Sequence, residues 1–148
     1  MNTIPALRTA AIITADIPIA SNVTPASVGL VSPIGAGQTQ KLRYWIPFNV
    51  GATGGIRAQI AVPAGGTIFL ATIVLYNNVA PSITTSLQTA SAAFTNAVAN
   101  AGLSWLEIEA TIVNGNTAGN VDLQIAQNTS DVLTLTVKRG GFVEVTKM

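Results

Sequence analysis

The chain has 148 residues, contains neither cysteine nor histidine, and carries a formal net charge of +1. These absences exclude disulfides, thiolate nucleophiles and Cys- or His-based zinc sites, and they remove the general base that most hydrolases use. With 9% charged residues and no run of lysine and arginine, the sequence indicates neither nucleic acid nor a membrane surface as a partner.

The N-terminal residues differ in pattern from the rest of the chain. Residues 1–11 show no strong periodicity and include Pro5, so we predict an extended arm there and a single β-sandwich domain over residues 12–148. The segment 12–19 is strand-like. Pro18 within it lacks a backbone donor, which predicts a position at a sheet edge or a strand end.

The clearest strand pattern lies between Gln40 and Val62. Apolar residues alternate with polar ones from Leu42 to Val50, a glycine-bearing segment follows at 51–55, and alternation resumes from Ile56. We predict a β-hairpin with one apolar face. Because a lone hairpin is marginal in water, this face requires a second sheet above it.

The middle of the chain has no charged residue from Ala58 through Leu106. Its apolar run, 68–76, is far shorter than the ~20 residues of a membrane-spanning helix. The run is apolar on both parities, which predicts a strand buried on both faces by a second sheet or by a neighbouring subunit. Apolar residues at spacings of three and four predict a short helix over residues 87–101.

The C-terminal part again alternates with a period of two. Residues 105–113 and 121–125, joined by an Asn-Gly turn, predict a second hairpin, and strands are predicted at 132–138 and 142–146 with a turn at 139–141. The total of about eight or nine short strands predicts an all-β sandwich. The predicted core is Leu42, Tyr44, Ile46, Phe48, Ile56, Ile60, Leu106, Ile108, Ile112, Leu123 and Ile125.

The acidic residues give little indication of catalysis. Glu107 and Glu109 lie about 6.6–6.8 Å apart on one strand face, within the range of a glycosidase pair, but strand geometry makes that spacing inevitable. We interpret them as a solvated or interface face, and we predict no enzyme, since nucleophile and base are lacking. The oxygens around Gly115, from Asn114 to Asp122, include a single acid, so we predict no metal and no cofactor.

Trp45 and Trp105 interrupt the alternation of their strands. Each stands on the polar parity, where it either anchors a contact with a partner or lies beneath a loop or the second sheet. The candidate interface residues are Arg43, Trp45, Arg57, Trp105, Glu107 and Glu109. Asparagine, glutamine and aromatic residues could alternatively form a sugar-binding groove.

Three stretches carry a family resemblance: residues 40–63, residues 107–128, and the terminal Thr-Val-Lys-Arg-Gly-Gly-Phe-Val-Glu-Val. Together they resemble jelly-roll-like β-sandwich domains of tailed-bacteriophage virion proteins, found in head decoration (cement) proteins and in tail fibres. The resemblance implies a structural protein on the capsid exterior that binds the major capsid protein of the assembled head and stabilises it. The alternative is a tail-fibre or receptor- or carbohydrate-binding module. A short chain with its own arm favours the head protein.

The low charge also bears on assembly. A domain of this size leaves roughly 30% of its unfolded surface exposed. With so few charged residues, we expect much of that area to be interface, and therefore a homo-oligomer. The resemblance implies a trimer, and we expect the arm to grip a neighbour or the capsid floor.

Overall fold

The computed structural model describes residues 8–51, 54–77, 82–88, 94–96 and 102–148. These ranges form twelve β-strands and no helix. They therefore contain no helix that could cross a membrane. The strands are β1 (Arg8–Ile12), β2 (Ile17–Ile19), β3 (Ala26–Ile34), β4 (Thr39–Val50), β5 (Ile56–Ala61), β6 (Thr67–Asn77), β7 (Ser82–Gln88), β8 (Phe94–Asn96), β9 (Gly102–Val113), β10 (Gly119–Ala126), β11 (Leu135–Val137) and β12 (Phe142–Lys147).

Two sheets form a sandwich-like arrangement, which confirms the predicted all-β fold. The large sheet has the order β1-β12-β4-β9-β6-β7, with β11 also beside β4 and β2 beside β11. The small sheet has the order β3-β10-β5-β8. All pairings are antiparallel. The strand number exceeds the predicted eight or nine because several strands have only three residues.

Both predicted hairpins are wrong, because the two strands of each lie in different sheets. β4 pairs with β9 over twelve positions, and β5 pairs with β10. The chain thus passes from one sheet to the other between β4 and β5, and again between β9 and β10. Each strand presents its apolar parity to the shared core, which satisfies the same sequence pattern as a hairpin.

The core contains all of the predicted residues. Leu42, Tyr44, Ile46 and Phe48 are 0% exposed, and the predicted core residues on the other strands are at most 5% exposed. Val28, Leu30 and Ile34 of β3, together with Leu135, Val137 and Val143 near the C-terminus, complete the same cluster.

Among the described residues, strand β6 is buried mainly on the face that packs against the core. Ile68, Ala71, Ile73 and Leu75 are buried, whereas Leu70 is 40% and Phe69 70% exposed. A bulge between Ile68 and Leu70 shifts the parity there. The second sheet therefore covers one face of β6. Of the two covers predicted for the other face, the neighbouring subunit remains.

The predicted helix over 87–101 is wrong where the structure describes it. Leu87 and Gln88 end β7, and Phe94–Asn96 form β8, while the other residues of that prediction lie outside the described ranges. β7 pairs with β6 over seven positions and β8 pairs with β5. Cross-strand pairing outweighs the weak helical propensity of the threonine and serine residues here.

Part of the predicted N-terminal arm, residues 8–11, belongs to the sandwich itself. Arg8–Ile12 form β1 and pair with β12, with Arg8 opposite Val145. Residues 8–11 are thus part of the large sheet, whereas residues 1–7 lie outside the described ranges. Pro18 lies in the edge strand β2, opposite Thr136, as its missing donor predicts.

Candidate functional site

The candidate site lies on the outer face of the large sheet, on the side turned away from the core. This outer face consists of the residues that alternate with buried ones on three adjacent strands. They are Arg43, Trp45 and Pro47 on β4, Trp105, Glu107 and Glu109 on β9, and Thr72, Val74 and Tyr76 on β6. The sheet register places Trp45 opposite Glu107, and Trp105 between Pro47 and Tyr76.

Three aromatic rings cluster at the centre of this face. The ring centroids lie 6.3 Å apart for Trp45 and Trp105, 6.5 Å for Trp45 and Tyr76, and 6.3 Å for Tyr76 and Trp105. The two indole planes are inclined by 27°. Such separations are typical of favourable offset aromatic pairs, so the three rings hold one another in place. All three residues are half-buried, which leaves part of the aromatic cluster accessible.

Ion pairs border the aromatic cluster on one side. Arg43 donates from Nε to Oε1 of Glu107 over 2.8 Å, and its Nη2 donates to the same oxygen. Lys41 Nζ lies 3.3 Å from Oε2 of Glu109. The hydrogen bond with Glu107, and then its negative charge, raise the pKa of Arg43 above its ordinary value. Exposed pairs of this kind add little stability. The two bonds to Glu107 give the Arg43 guanidinium a defined position on the outer face.

Five of the six predicted interface residues come together on the outer face: Arg43, Trp45, Trp105, Glu107 and Glu109. Arg57 does not join them, because it lies on β5 in the small sheet. Its Nη1 donates to the carbonyl of Val23 over 3.0 Å, which ties the loop before β3 to the small sheet.

In the described part of the chain, neither tryptophan lies beneath the second sheet. Trp45 and Trp105 face away from the second sheet, and their ring contacts are with each other and with Tyr76. Sequence reasoning missed Tyr76. Its strand is apolar on both parities, so no sequence signal distinguished its face. Its proximity to the tryptophans follows from the β6–β9 register.

Several acidic and amide side chains form ion pairs and hydrogen bonds within the protein. Glu107 and Glu109 each pair with a different cation. Asn114 Nδ2 donates to the carbonyls of Gly35 and Thr117, both over 2.9 Å, and Asp122 accepts a bond from Ser27 Oγ over 2.7 Å. Within the described ranges no three acidic residues are grouped as metal ligands. These groups hold loops and strands together.

Comparison with known proteins gives structural similarity alone. No protein-family model matches the chain, and no curated protein matches it. It is similar to a chain in the structure of infectious bursal disease virus Gx strain, at 12% identity and a TM-score of 0.23, over 97% of this chain and 39% of that chain. For the Gt strain the values are 12%, 0.22, 97% and 40%. The chain thus spans about two fifths of the length of these viral chains, and at such TM-scores no function is transferred from them.

Proposed function

We propose that this protein is a virion structural protein, a bacteriophage head decoration protein that binds the exterior of the assembled capsid. The observation that carries the proposal is the aromatic cluster of Trp45, Tyr76 and Trp105 on the outer face. The sequence resemblance to phage virion sandwiches gives the setting. The partner proposed for the outer face is the major capsid protein.

The composition of the outer face suits protein recognition. Tryptophan, tyrosine and arginine concentrate binding energy in interfaces, particularly when they lie together at the centre of a patch. Here the rings are packed against one another and Arg43 is held by Glu107, so few side-chain rotamers have to be ordered on binding. The exposed Phe69 and Leu70 of β6 add further apolar area on this side of the molecule.

The proposed mechanism is passive and non-enzymatic. Preformed sandwich subunits dock on the capsid lattice and add contact area across the joints between capsomers. A ligand that binds only the assembled state stabilises it by about 2.7 kcal/mol when its free concentration is one hundred times Kd. We further propose that the protein acts as a homo-oligomer, for which the resemblance implies a trimer, and that residues 1–7 contact a neighbour or the capsid floor.

The proposal is tested by measuring binding to purified heads and to unassembled capsid protein. We expect selective binding to heads, and a loss of at least roughly tenfold in affinity for Trp105→Ala or Trp45→Ala, as befits residues at the centre of an interface. The matched control compares two arginines: Arg43→Ala should weaken head binding, whereas Arg57→Ala should not. Equal binding by the tryptophan variants and the wild type, with all variants folded, would rule out the outer face as the docking surface.

The aromatic cluster also supports the carbohydrate-binding alternative, since aromatic rings beside a carboxylate can stack on sugars. The two functions differ in their ligand. Selective micromolar binding on a glycan array, lost in Trp105→Ala and accompanied by no binding to heads, would favour a receptor- or carbohydrate-binding module.

A further inference from the structure

Among the described strands, those at the edges of the two sheets differ in the features that protect them from further pairing. In the large sheet, the edge formed by β1 and β2 contains a bulge between Thr9 and Ala11 and the proline Pro18. In the small sheet, β3 contains Pro33 and a register shift around Gly29, whose φ is +79°, and β8 has only three residues. Proline, bulges and shortness are the devices by which proteins prevent strands from pairing with other chains.

Strand β7 has none of these devices. It runs for seven residues, Ser82–Gln88, with neither a charge nor a proline. Its register with β6 is continuous from Asn77 opposite Ser82 to Ala71 opposite Gln88. No strand of the described ranges pairs with its other edge. A long, uncharged and regular edge of this kind is a template for another strand.

The sequence of β7 is also complementary to itself. When two copies run antiparallel around Thr85, Ile83 lies opposite Leu87 and Thr84 lies opposite Ser86. The ends then bring Ser82 opposite Gln88. Aliphatic pairs and hydroxyl pairs are favourable across antiparallel strands, and no like charges oppose each other. Slipping the register by one residue places Ile83 opposite a serine or a glutamine instead.

We propose that β7 pairs edge to edge with β7 of a second copy, antiparallel and centred on Thr85. The pairing joins the two large sheets into one. In this register odd-numbered residues of β7 oppose odd-numbered residues, and in each copy Ile83, Thr85 and Leu87 lie opposite Tyr76, Val74 and Thr72 of the outer face. The outer faces of the two copies therefore lie on the same side of the joined sheet.

This contact relates two copies by a two-fold axis and cannot close a three-fold ring. The trimer proposed above has to use a different surface. The two contacts together close at six copies when the two-fold axis crosses the three-fold axis at a right angle. The inference is independent of head binding, because it rests on the edge of β7 and not on the aromatic cluster.

The test measures the mass of the full chain in solution by light scattering and sedimentation. We expect an even number of copies for the wild type. Thr85→Lys and Thr85→Glu each place like charges opposite each other at the axis, so each variant should have half the wild-type mass. An equal mixture of the two should recover it, because lysine then opposes glutamate. Thr14→Lys, on the protected edge of the same sheet, is the control and should keep the wild-type mass.

A cysteine variant tests the register without disturbing the charge. The chain has no cysteine, so Thr85→Cys should give a disulfide-linked dimer on oxidation, and Thr14→Cys should not. A wild type that is monomeric or has an odd number of copies would overturn the proposal. So would an unchanged mass for Thr85→Lys, or a mixture that stays at half mass. Head binding by Trp105 variants is measured separately, so the two proposals can fail independently.

Discussion

Tyr44 is one of the largest side chains that the core buries completely, and its hydroxyl has no hydrogen-bond partner among the described residues. Burial raises its pKa far above the ordinary value of 10.0, and the negative charge of Asp122 adds to the effect. An unpaired buried hydroxyl costs about 1–3 kcal/mol. The ring of Tyr44 therefore fills volume in the core, whereas its unpaired hydroxyl lowers the stability of the fold.

We predict that Tyr44→Phe raises the free energy of unfolding at neutral pH by about 1–3 kcal/mol, because it removes the unpaired hydroxyl and keeps the ring. The wild type should also lose stability as the pH rises above 10.0, since the unfolded state then releases the tyrosine proton before the folded state does. Tyr44→Phe should lack that part of the loss. Urea denaturation at neutral pH and at about pH 11 measures both effects, and a destabilised variant at neutral pH would contradict the prediction.

Ile108 illustrates the ordinary core residue. It lies on β9 and is 1% exposed. We expect Ile108→Ala to lower the free energy of unfolding by about 2–5 kcal/mol, through lost burial and the cavity left behind. Leu103→Ala, on the same strand but 44% exposed, is the matched control and should cost far less. Comparable losses for the two variants in chemical denaturation would argue against the assigned faces of β9.

At the scale of elements, the pairing of β4 with the C-terminal part of the chain is interrupted between β11 and β12. β11 and β12 both pair with β4, so the predicted turn at 139–141 does not reverse the chain but forms a bulge. Gly140 has a φ of +89°, which a residue with a side chain rarely adopts. Ile13 fills the interruption: its N–H donates to Gly141 over 2.7 Å, and its carbonyl accepts from Gly140 over 2.8 Å.

The carboxylate of Asp16 stabilises this bulge by accepting two hydrogen bonds from it. The carboxylate accepts from Lys138 Nζ over 2.8 Å and from the backbone N–H of Arg139 over 2.9 Å. The hydrogen bond from Lys138, followed by that from Arg139, holds the pKa of Asp16 below its ordinary value of 3.8. The stabilisation is therefore present above that value and is lost as the pH falls through the lower folded-state pKa.

We predict that Asp16→Ala speeds hydrogen exchange at the Arg139 amide, because the acceptor is removed. Asp16→Asn keeps an oxygen acceptor without the charge and should give an intermediate rate. Exchange measured by NMR, with amides of β9 as internal controls, distinguishes local opening from global destabilisation. Equal acceleration at β9 in Asp16→Ala would mean that the carboxylate supports the whole fold and not the bulge alone.

At the scale of the whole molecule, the chain closes on itself by the pairing of β1 with β12. Two strands that are far apart in the sequence are thus neighbours in the large sheet, and β4 and β9 lie in its middle. Loss of β1 would leave the edge of β12 unpaired beside the exposed C-terminal residues.

A truncation series tests how much the pairing of β1 with β12 stabilises the fold. A chain that begins at Ile13 lacks β1 and should melt several degrees below one that begins at Arg8, because the ladder with β12 is missing. The chain that begins at Arg8 is the control, and it also tests residues 1–7: its reduced binding to heads would support their proposed contact. Equal melting temperatures for the two truncated chains would show that β1 contributes no stability.

The thermal stability of the folded protein should not depend on divalent ions. The amide and carboxylate groups from Asn114 to Asp122 include two that are already engaged in bonds within the protein. We predict that EDTA leaves the melting temperature unchanged. A fall of many degrees, reversed by calcium and absent in Asp122→Asn, would instead establish a metal site in that loop.

The sequence by itself determined which residues of β4, β5, β9 and β10 are buried. The alternation in β4 and β9 predicted the buried positions of Tyr44 and Ile108, because successive side chains of a strand point to opposite faces wherever the strand pairs. It also placed Trp45 and Trp105 on the opposite parity. These are local properties of the extended backbone.

Only the tertiary structure decided which strands are neighbours. Alternation is the same for a hairpin and for two strands in facing sheets, so β4 and β5 gave no sign that they separate. The register of β4 with β9 joins residues more than fifty positions apart, and that register brings Trp45 to Trp105 and adds Tyr76. Arg57 lies outside the candidate site for the same reason. The sheet to which a strand belongs depends on how the entire core is buried, and the strand's own alternation does not specify it.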